Sequence, residues 1–289
     1  MSRPAALDRT ALDANPLPRV VDGDKETKGR ILILAGSREV PGAALLAARA
    51  AMRAGAGKLQ IATVESIAPH VAVSMPEAMV VGLAEHRDGG FAGSAVTRIE
   101  ELAAEADAIV AGPGMLPGNT CERIADVLLR SPASLALDAG LLRSLSPLEE
   151  QELERPIMPI LLPHVGELAD LLEIDEAKVA AASVQCGHRA AQLYRSVVLV
   201  KGVISHVVHR DGRAWTYSGG APGLGVSGSG DVLAGIVGGL LSRGADPLAA
   251  LLWGVWLHGE AGAALAKSIG PIGFLAREIA EQVPALLPR

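Results

Sequence analysis

Aromatic side chains are scarce in this 289-residue chain: three Trp, two Tyr and two Phe make up 2% of it. No Lys/Arg cluster is interleaved with them, so there is no stacking platform for single-stranded nucleic acid. A formal net charge of −6 argues equally against a phosphate backbone as the main partner. Cysteine is also scarce. Cys121 and Cys186 are too few for a disulfide framework and lie in no metal-spaced cluster. No uncharged helical stretch approaches the ~18 residues that would cross a bilayer. Residues 1–24 mix Arg, Asp and Pro without the apolar run of a secretory signal, so the expected location is cytoplasmic. Two nucleotide-binding signatures are missing as well. The turn at residues 36–42 is not G-x-G-x-x-G, and no Lys-Ser/Thr follows a glycine loop as in a Walker A motif. Any nucleotide must be held in another way.

What the chain has is 49% hydrophobic residues and 33 glycines. With so few aromatics, the interior must be Ala, Val, Leu and Ile packed closely against Gly, which suits a sheet covered by helices on both faces. The pattern alternates accordingly. Strands are expected at 30–35, 58–63, 108–111, 135–137, 157–162 and 197–200, with helices at 43–54, 94–105, 121–130 and 177–194 and one opening from the turn at 163–167 and running through 172. Residues 205–209 and 213–217 flank Arg210-Asp211-Gly212 as a hairpin. Helices over 247–267 and 274–283 close the chain. No linker or composition shift divides it, so residues 1–289 read as one domain, with 1–28 as a leader holding one short helix. Repeated β-then-α units imply a parallel α/β sheet, whose ligands bind outside the carboxyl ends of the strands.

The most informative segment is Gly225-Val226-Ser227-Gly228-Ser229-Gly230-Asp231, running into an apolar helix over 232–241. Backbone amides converging at a helix N-terminus favour an anion. Asp231 at the mouth of such a nest is awkward unless it accepts a proton, which points to phosphoryl transfer to a hydroxyl with Asp231 as base. Ordinary structural explanations stand beside this one. The glycines equally suit close packing, and Asp231 a helix dipole. Lys201-Gly202 could simply end a strand, Asp138 could be an N-cap and Glu167 an N3 residue. These explanations weaken because the residues all fall at strand ends of one sheet edge.

Together the motifs resemble the ribokinase-like superfamily, and more closely the ADP/ATP-dependent NAD(P)H-hydrate dehydratases. The likeness runs from about residue 28 to 287. Its landmarks are Gly36-Ser37, Pro41-Gly42-Ala43-Ala44, Arg53-Ala54-Gly55-Ala56-Gly57, Pro76-Glu77-Ala78-Met79 and Gly112-Pro113-Gly114. They continue through Leu137-Asp138-Ala139-Gly140, Pro163-His164-Val165-Gly166-Glu167, Lys201-Gly202, Ser227-Gly228-Ser229-Gly230-Asp231 and His258-Gly259. The resemblance implies a three-layer α/β/α fold with a mostly parallel central sheet. It implies that Ala43, Gly114, His164 and Asp231 contact the hydrated dinucleotide. Lys201, Gly202, Val203, Ile204, Ser205 and Gly230 would contact the adenine nucleotide, and Ser227, Gly228, Ser229 and Gly230 would form the anion hole. Glu167 occupies the place of a superfamily glutamate that acts on Mg²⁺ through water, with His164 where an Asn usually stands. The chain departs from the family at Gly225, Val226 and Ser227, at Leu162, and in the apolar Val203-Ile204 pair.

The implied reaction is nucleotide-dependent dehydration of the S form of NAD(P)H hydrate, a metabolite repair that releases phosphate with AMP or ADP. A homotetramer and a separate NAD(P)H-hydrate epimerase are the implied partners, since no fused epimerase domain is present. Two other readings remain open at this stage. One is a small-molecule kinase of the same fold acting on a vitamin precursor or sugar; the other is a non-catalytic nucleotide-binding sensor.

Overall fold

Short, unbroken apolar runs such as Ile31-Leu32-Ile33-Leu34 and Val197-Val198-Leu199-Val200 suit strands buried on both faces, and the structure places them as interior strands of one sheet. The computed structural model describes residues 3–19, 29–147 and 157–288. The rest of the expected leader, residues 20–28 included, lies outside them.

The strands are β1 Ala5–Ala6, β2 Arg30–Leu34, β3 Lys58–Val64, β4 Ala78–Leu83, β5 Ala108–Ala111, β6 Ser134–Leu137, β7 Ile160–Leu161, β8 Val197–Val200, β9 Ser205–His209 and β10 Ala214–Tyr217. The helices are α1 Arg9–Asp13, α2 Gly42–Arg53, α3 Ala68–Ser74, α4 Val96–Ala104, α5 Asn119–Arg130, α6 Ala139–Leu142, α7 Val165–Leu172, α8 Glu176–Ala181, α9 Ser183–Leu193, α10 Ser229–Ser242, α11 Pro247–Ser268 and α12 Ala276–Leu286. Sheet order is β1-β10-β9-β8-β7-β6-β5-β2-β3-β4. Every neighbouring pair is parallel except β8/β9 and β9/β10, so β9 alone runs against the rest. Helices cover both faces. Strand β8 touches α9 and α11, which belong to opposite layers.

Helix α10 explains why the chain needs so much Gly and Ala. A Cβ at Gly235 would overlap the Ala47 carbonyl oxygen, and one at Gly239 the Ala51 carbonyl oxygen, so α10 and α2 meet backbone to backbone. On its sheet side, a Cβ at Gly238 would run into Val110 and Ile31. Helix α11 is 22 residues long and apolar enough by length and composition to cross a membrane. Here 72% of its apolar window is buried in the protein, against α10 and α12.

Several elements differ from expectation. The helix expected over 177–194 breaks at Ala182 (φ −142°, ψ 45°) into α8 and α9. The strand expected over 157–162 is regular only at Ile160–Leu161, with the Pro159 carbonyl and the Leu162 amide still bonded to Val197 and Leu137 of the neighbouring strands. Strand β4 and helix α3 were not anticipated. β4 is a half-buried edge strand, Ala78-Met79-Val80-Val81-Gly82-Leu83, in which neither strict alternation nor a fully buried run marks the period. Residues 3–19 are tied to the body of the protein. β1 lies parallel to β10, Leu12 is fully buried, and Trp253 Nε1 donates to the Asn15 carbonyl at 2.9 Å.

Candidate active site

The turns that follow β2, β5, β6, β7 and β8 are stitched together along one edge of the sheet. Gly36 N–H donates to the Pro113 carbonyl at 2.8 Å, and Lys201 N–H donates to the Pro163 carbonyl at 2.9 Å. Gly112 (φ +118°) has no room for a side chain, because a Cβ there would overlap the Asp138 carbonyl. Gly114 (φ +65°) sits so close to α2 that a Cβ would lie 2.8 Å from the Ala43 Cβ. Ala43 and Gly114 therefore face each other at the mouth of the β2 and β5 turns, with Ala43 buried in the first turn of α2.

His164 is the N-cap of α7. Its Nδ1 accepts from the amides of Gly166 (3.0 Å) and Glu167 (3.2 Å), while Glu167 Oε2 accepts from the His164 amide at 2.9 Å. The same ring brings Nε2 to 3.5 Å from Glu167 Oε1, so the capping box holds the Glu167 carboxylate, itself buried, at the site edge. Lys201 comes in from the end of β8. Its Nζ donates to Asp138 Oδ1 at 2.6 Å and lies 3.8 Å from Glu167 Oε2. Burial works against the Lys201 ammonium, yet Asp138 and Glu167 hold its pKa above the ordinary value. Asp138 is also the N-cap of α6, accepting from the Ala139 amide at 2.9 Å.

Asp231 stands opposite. Gly228 (φ +86°) is the N-cap of α10, and Asp231 is the third residue of the helix, so the helix begins three residues earlier than the apolar run suggests. The first intrahelical bond is Val232 N–H to the Gly228 carbonyl. Among the described residues, the Gly230 and Asp231 amides have no backbone acceptor, which leaves them as an anion cradle. Ser227 lies in the turn before the cap, and Ser229 N–H donates to the Val226 carbonyl at 3.1 Å. A Cβ on Gly230 would lie 3.6 Å from Lys201 Nζ and 3.9 Å from Asp138 Oδ2. Burial, then the nearby Asp138, pushes the Asp231 carboxyl up to about 6, with Lys201 pulling the other way. A carboxylate with that pKa is ionised at neutral pH and still basic enough to take a proton.

The β8–β9 turn carries Gly202, Val203, Ile204 and Ser205. Val203 is 98% exposed, Ile204 is half exposed, and Ser205 Oγ donates to the Gly202 carbonyl. The structure thus brings Ala43, Gly114, His164, Glu167, Lys201, Gly230 and Asp231 to one sheet edge. Two participants lacked an assigned role in the sequence reading: Asp138, read there only as a cap or an edge residue, and His258, which bonds to Ser229. The partner of Asp138 is 63 residues away, beyond the reach of any local pattern.

Among the described residues, no group of three His, Cys, Asp or Glu side chains could hold a metal ion by itself. Glu167 and Asp138 fit a different role, since Mg²⁺ keeps waters and takes one or two carboxylates beside the phosphates of a nucleotide.

Comparison with known proteins shows the family. Residues 31–285 match the NAD(P)H-hydrate dehydratase family. An ADP-dependent (S)-NAD(P)H-hydrate dehydratase of Xanthomonas campestris pv. campestris is 47% identical over 288 residues, which is 99% of this chain and 97% of that protein. A bifunctional NAD(P)H-hydrate repair enzyme of Thermofilum pendens is 32% identical; the match covers 95% of this chain but 53% of that protein. The crystal structure of the ADP/ATP-dependent NAD(P)H-hydrate dehydratase of Bacillus subtilis, co-crystallised with ATP/Mg²⁺, superposes with a TM-score of 0.84 at 28% identity, covering 99% of this chain and 98% of that one. The chain belongs to the NAD(P)H-hydrate dehydratase family.

Proposed function

We propose that this chain uses ADP or ATP to dehydrate the S form of NAD(P)H hydrate and so restores NAD(P)H. The observation that carries the reading is Asp231, with a carboxyl pKa of about 6, in the first turn of α10 beside two unsatisfied amides and within the field of Lys201.

Asp231 takes the proton of the substrate hydroxyl as its oxygen attacks the terminal phosphorus of the nucleotide. The new O–P bond forms while the bond to the departing AMP (from ADP) or ADP (from ATP) breaks. Negative charge on the transferring oxygens is met by the α10 amides and by the Lys201 ammonium. Phosphate then leaves the carbon with its bonding electrons, helped by the lone pair of the ring nitrogen. Loss of a proton from the adjacent carbon restores the double bond. Hydroxide is a poor leaving group and phosphate a good one, which is why a lyase makes use of a kinase fold. Glu167 and Asp138 would hold Mg²⁺, which would supply positive charge to offset that of the nucleotide phosphates.

Ala43 and Gly114 offer the substrate a surface free of bulky side chains, and His164 Nε2 a polar contact. Lys201, Gly202, Val203, Ile204 and Ser205 line the nucleotide side. The reading includes cytoplasmic repair, supply of the S hydrate by an epimerase activity, and assembly as a homotetramer. Incubating purified protein with the hydrate and ADP or ATP tests it. Release of inorganic phosphate together with dihydronicotinamide absorbance is expected, whereas a stable phosphorylated product would mean a kinase.

A further inference from the structure

The mechanism leaves one polar contact at the head of α10 unused. His258, midway along α11, brings Nε2 to 3.0 Å from Ser229 Oγ and 3.1 Å from the Ser229 carbonyl oxygen. Ser229 is the first residue of α10 and is buried. Burial, with the Lys201 charge nearby, lowers the imidazole pKa to about 4 despite the bond to the Ser229 carbonyl, so the ring is neutral at working pH.

A carbonyl oxygen can only accept, so the ring nitrogen beside it must carry the hydrogen. The neutral ring is therefore the Nε2–H tautomer. That hydrogen also faces Ser229 Oγ, which takes the acceptor role toward His258. The hydroxyl's own hydrogen is then left to donate elsewhere. Ser229 belongs to the same first turn of α10 as the Gly230 and Asp231 amides, and Gly230, next in the chain, has the Lys201 ammonium beside it.

We propose that His258 is a positioning residue that fixes Ser229 Oγ as a hydrogen-bond donor to the transferring phosphoryl group, adding a side-chain donor to the α10 amides. The inference rests on the phosphoryl-transfer reading above. If wild-type protein releases no phosphate from hydrate and nucleotide, that reading fails; if it does, the variants below judge the inference alone.

The test is a double-mutant cycle in kcat, with KM and the thermal midpoint measured alongside. S229A removes the donor and is expected to lower kcat roughly 10- to 100-fold, the range for one hydrogen bond to a charged group. H258L should lower kcat by a similar factor with little change in KM, and the double variant should be no slower than S229A alone. Losses that multiply in the double variant, or an H258L kcat equal to wild type, would overturn the proposal. Should H258L fail to fold, H258Q and H258N replace it. The Gln amide can reach the Nε2 position and the Asn amide cannot, so kcat should be higher in H258Q. Equal values or the reverse order would count against His258 acting through its Nε2–H.

Discussion

Asp231 combines two demands that pull its chemistry apart. Its carboxyl must be ionised to accept a proton, yet burial and Asp138 resist that charge. Because the folded pKa lies above the ordinary 3.8, the folded state holds this proton more tightly than the unfolded chain does. Stability associated with the protonated form is present at low pH and is lost as pH rises through about 6. D231N should thus unfold at a higher temperature than wild type at pH 8, with the gap closing toward pH 4. It should also lower kcat by about 10³-fold. Calorimetry and steady-state rates check the two halves separately, and a variant that is both active and no more stable would refute the assignment. Wild-type activity should rise with pH across about 6 as Asp231 ionises. In K201M the neighbouring positive charge is gone, so this rise should move to higher pH; an unmoved limb would remove Lys201 from the electrostatics of the base. The candidate base was legible in the sequence because a carboxylate after Ser-Gly-Ser-Gly is anomalous. The Asp138–Lys201 and Ser229–His258 pairs were not, since each joins residues far apart in the chain.

At the scale of elements, α10 has to present its N-terminus at the sheet edge, and its register on α2 does this. The contact depends on Gly235 and Gly239 lying directly against the α2 backbone at Ala47 and Ala51. G239A adds a methyl where the Ala51 carbonyl already sits, and α10 must shift to accept it. The expected cost is roughly 1–3 kcal/mol, larger than the ~1 kcal/mol that Ala contributes over Gly in a helix. Urea unfolding measures it, and a neutral or stabilising G239A would mean that the two helices are not in backbone contact. Central strands were readable from their apolar runs, and turns from Gly and Pro. The break at Ala182 was not readable, because 177–194 carries no Gly or Pro until Gly187, which lies within α9. Edge strand β4 escaped notice because its half-buried pattern has no clean period.

At the scale of the molecule, the N-terminal segment closes one end of the sheet. β1 pairs with β10, Leu7 and Leu12 are buried, and the Arg9 guanidinium lies 5.4 Å from the Trp253 ring centre and 5.9 Å from that of Trp256. Deleting residues 1–15 should lower the unfolding temperature and red-shift the fluorescence of Trp253 and Trp256. An unchanged midpoint would show that the segment is dispensable for the sheet. Composition suited a sheet covered by helices, while the three-layer fold was what the family resemblance implied. A chain with 2% aromatics and 33 glycines fills its interior by bringing backbones close, and stacked parallel β/α units do that well.

The central claim is that one carboxylate at the head of α10 drives phosphorylation of a hydroxyl that then departs as phosphate. The most direct measurement follows dihydronicotinamide absorbance and inorganic phosphate together, using wild type and D231N with S hydrate and ADP. The account predicts one phosphate per dihydronicotinamide restored by wild type and a rate about 10³-fold lower for D231N. Near-normal turnover by D231N, or absorbance recovered without phosphate, would contradict it.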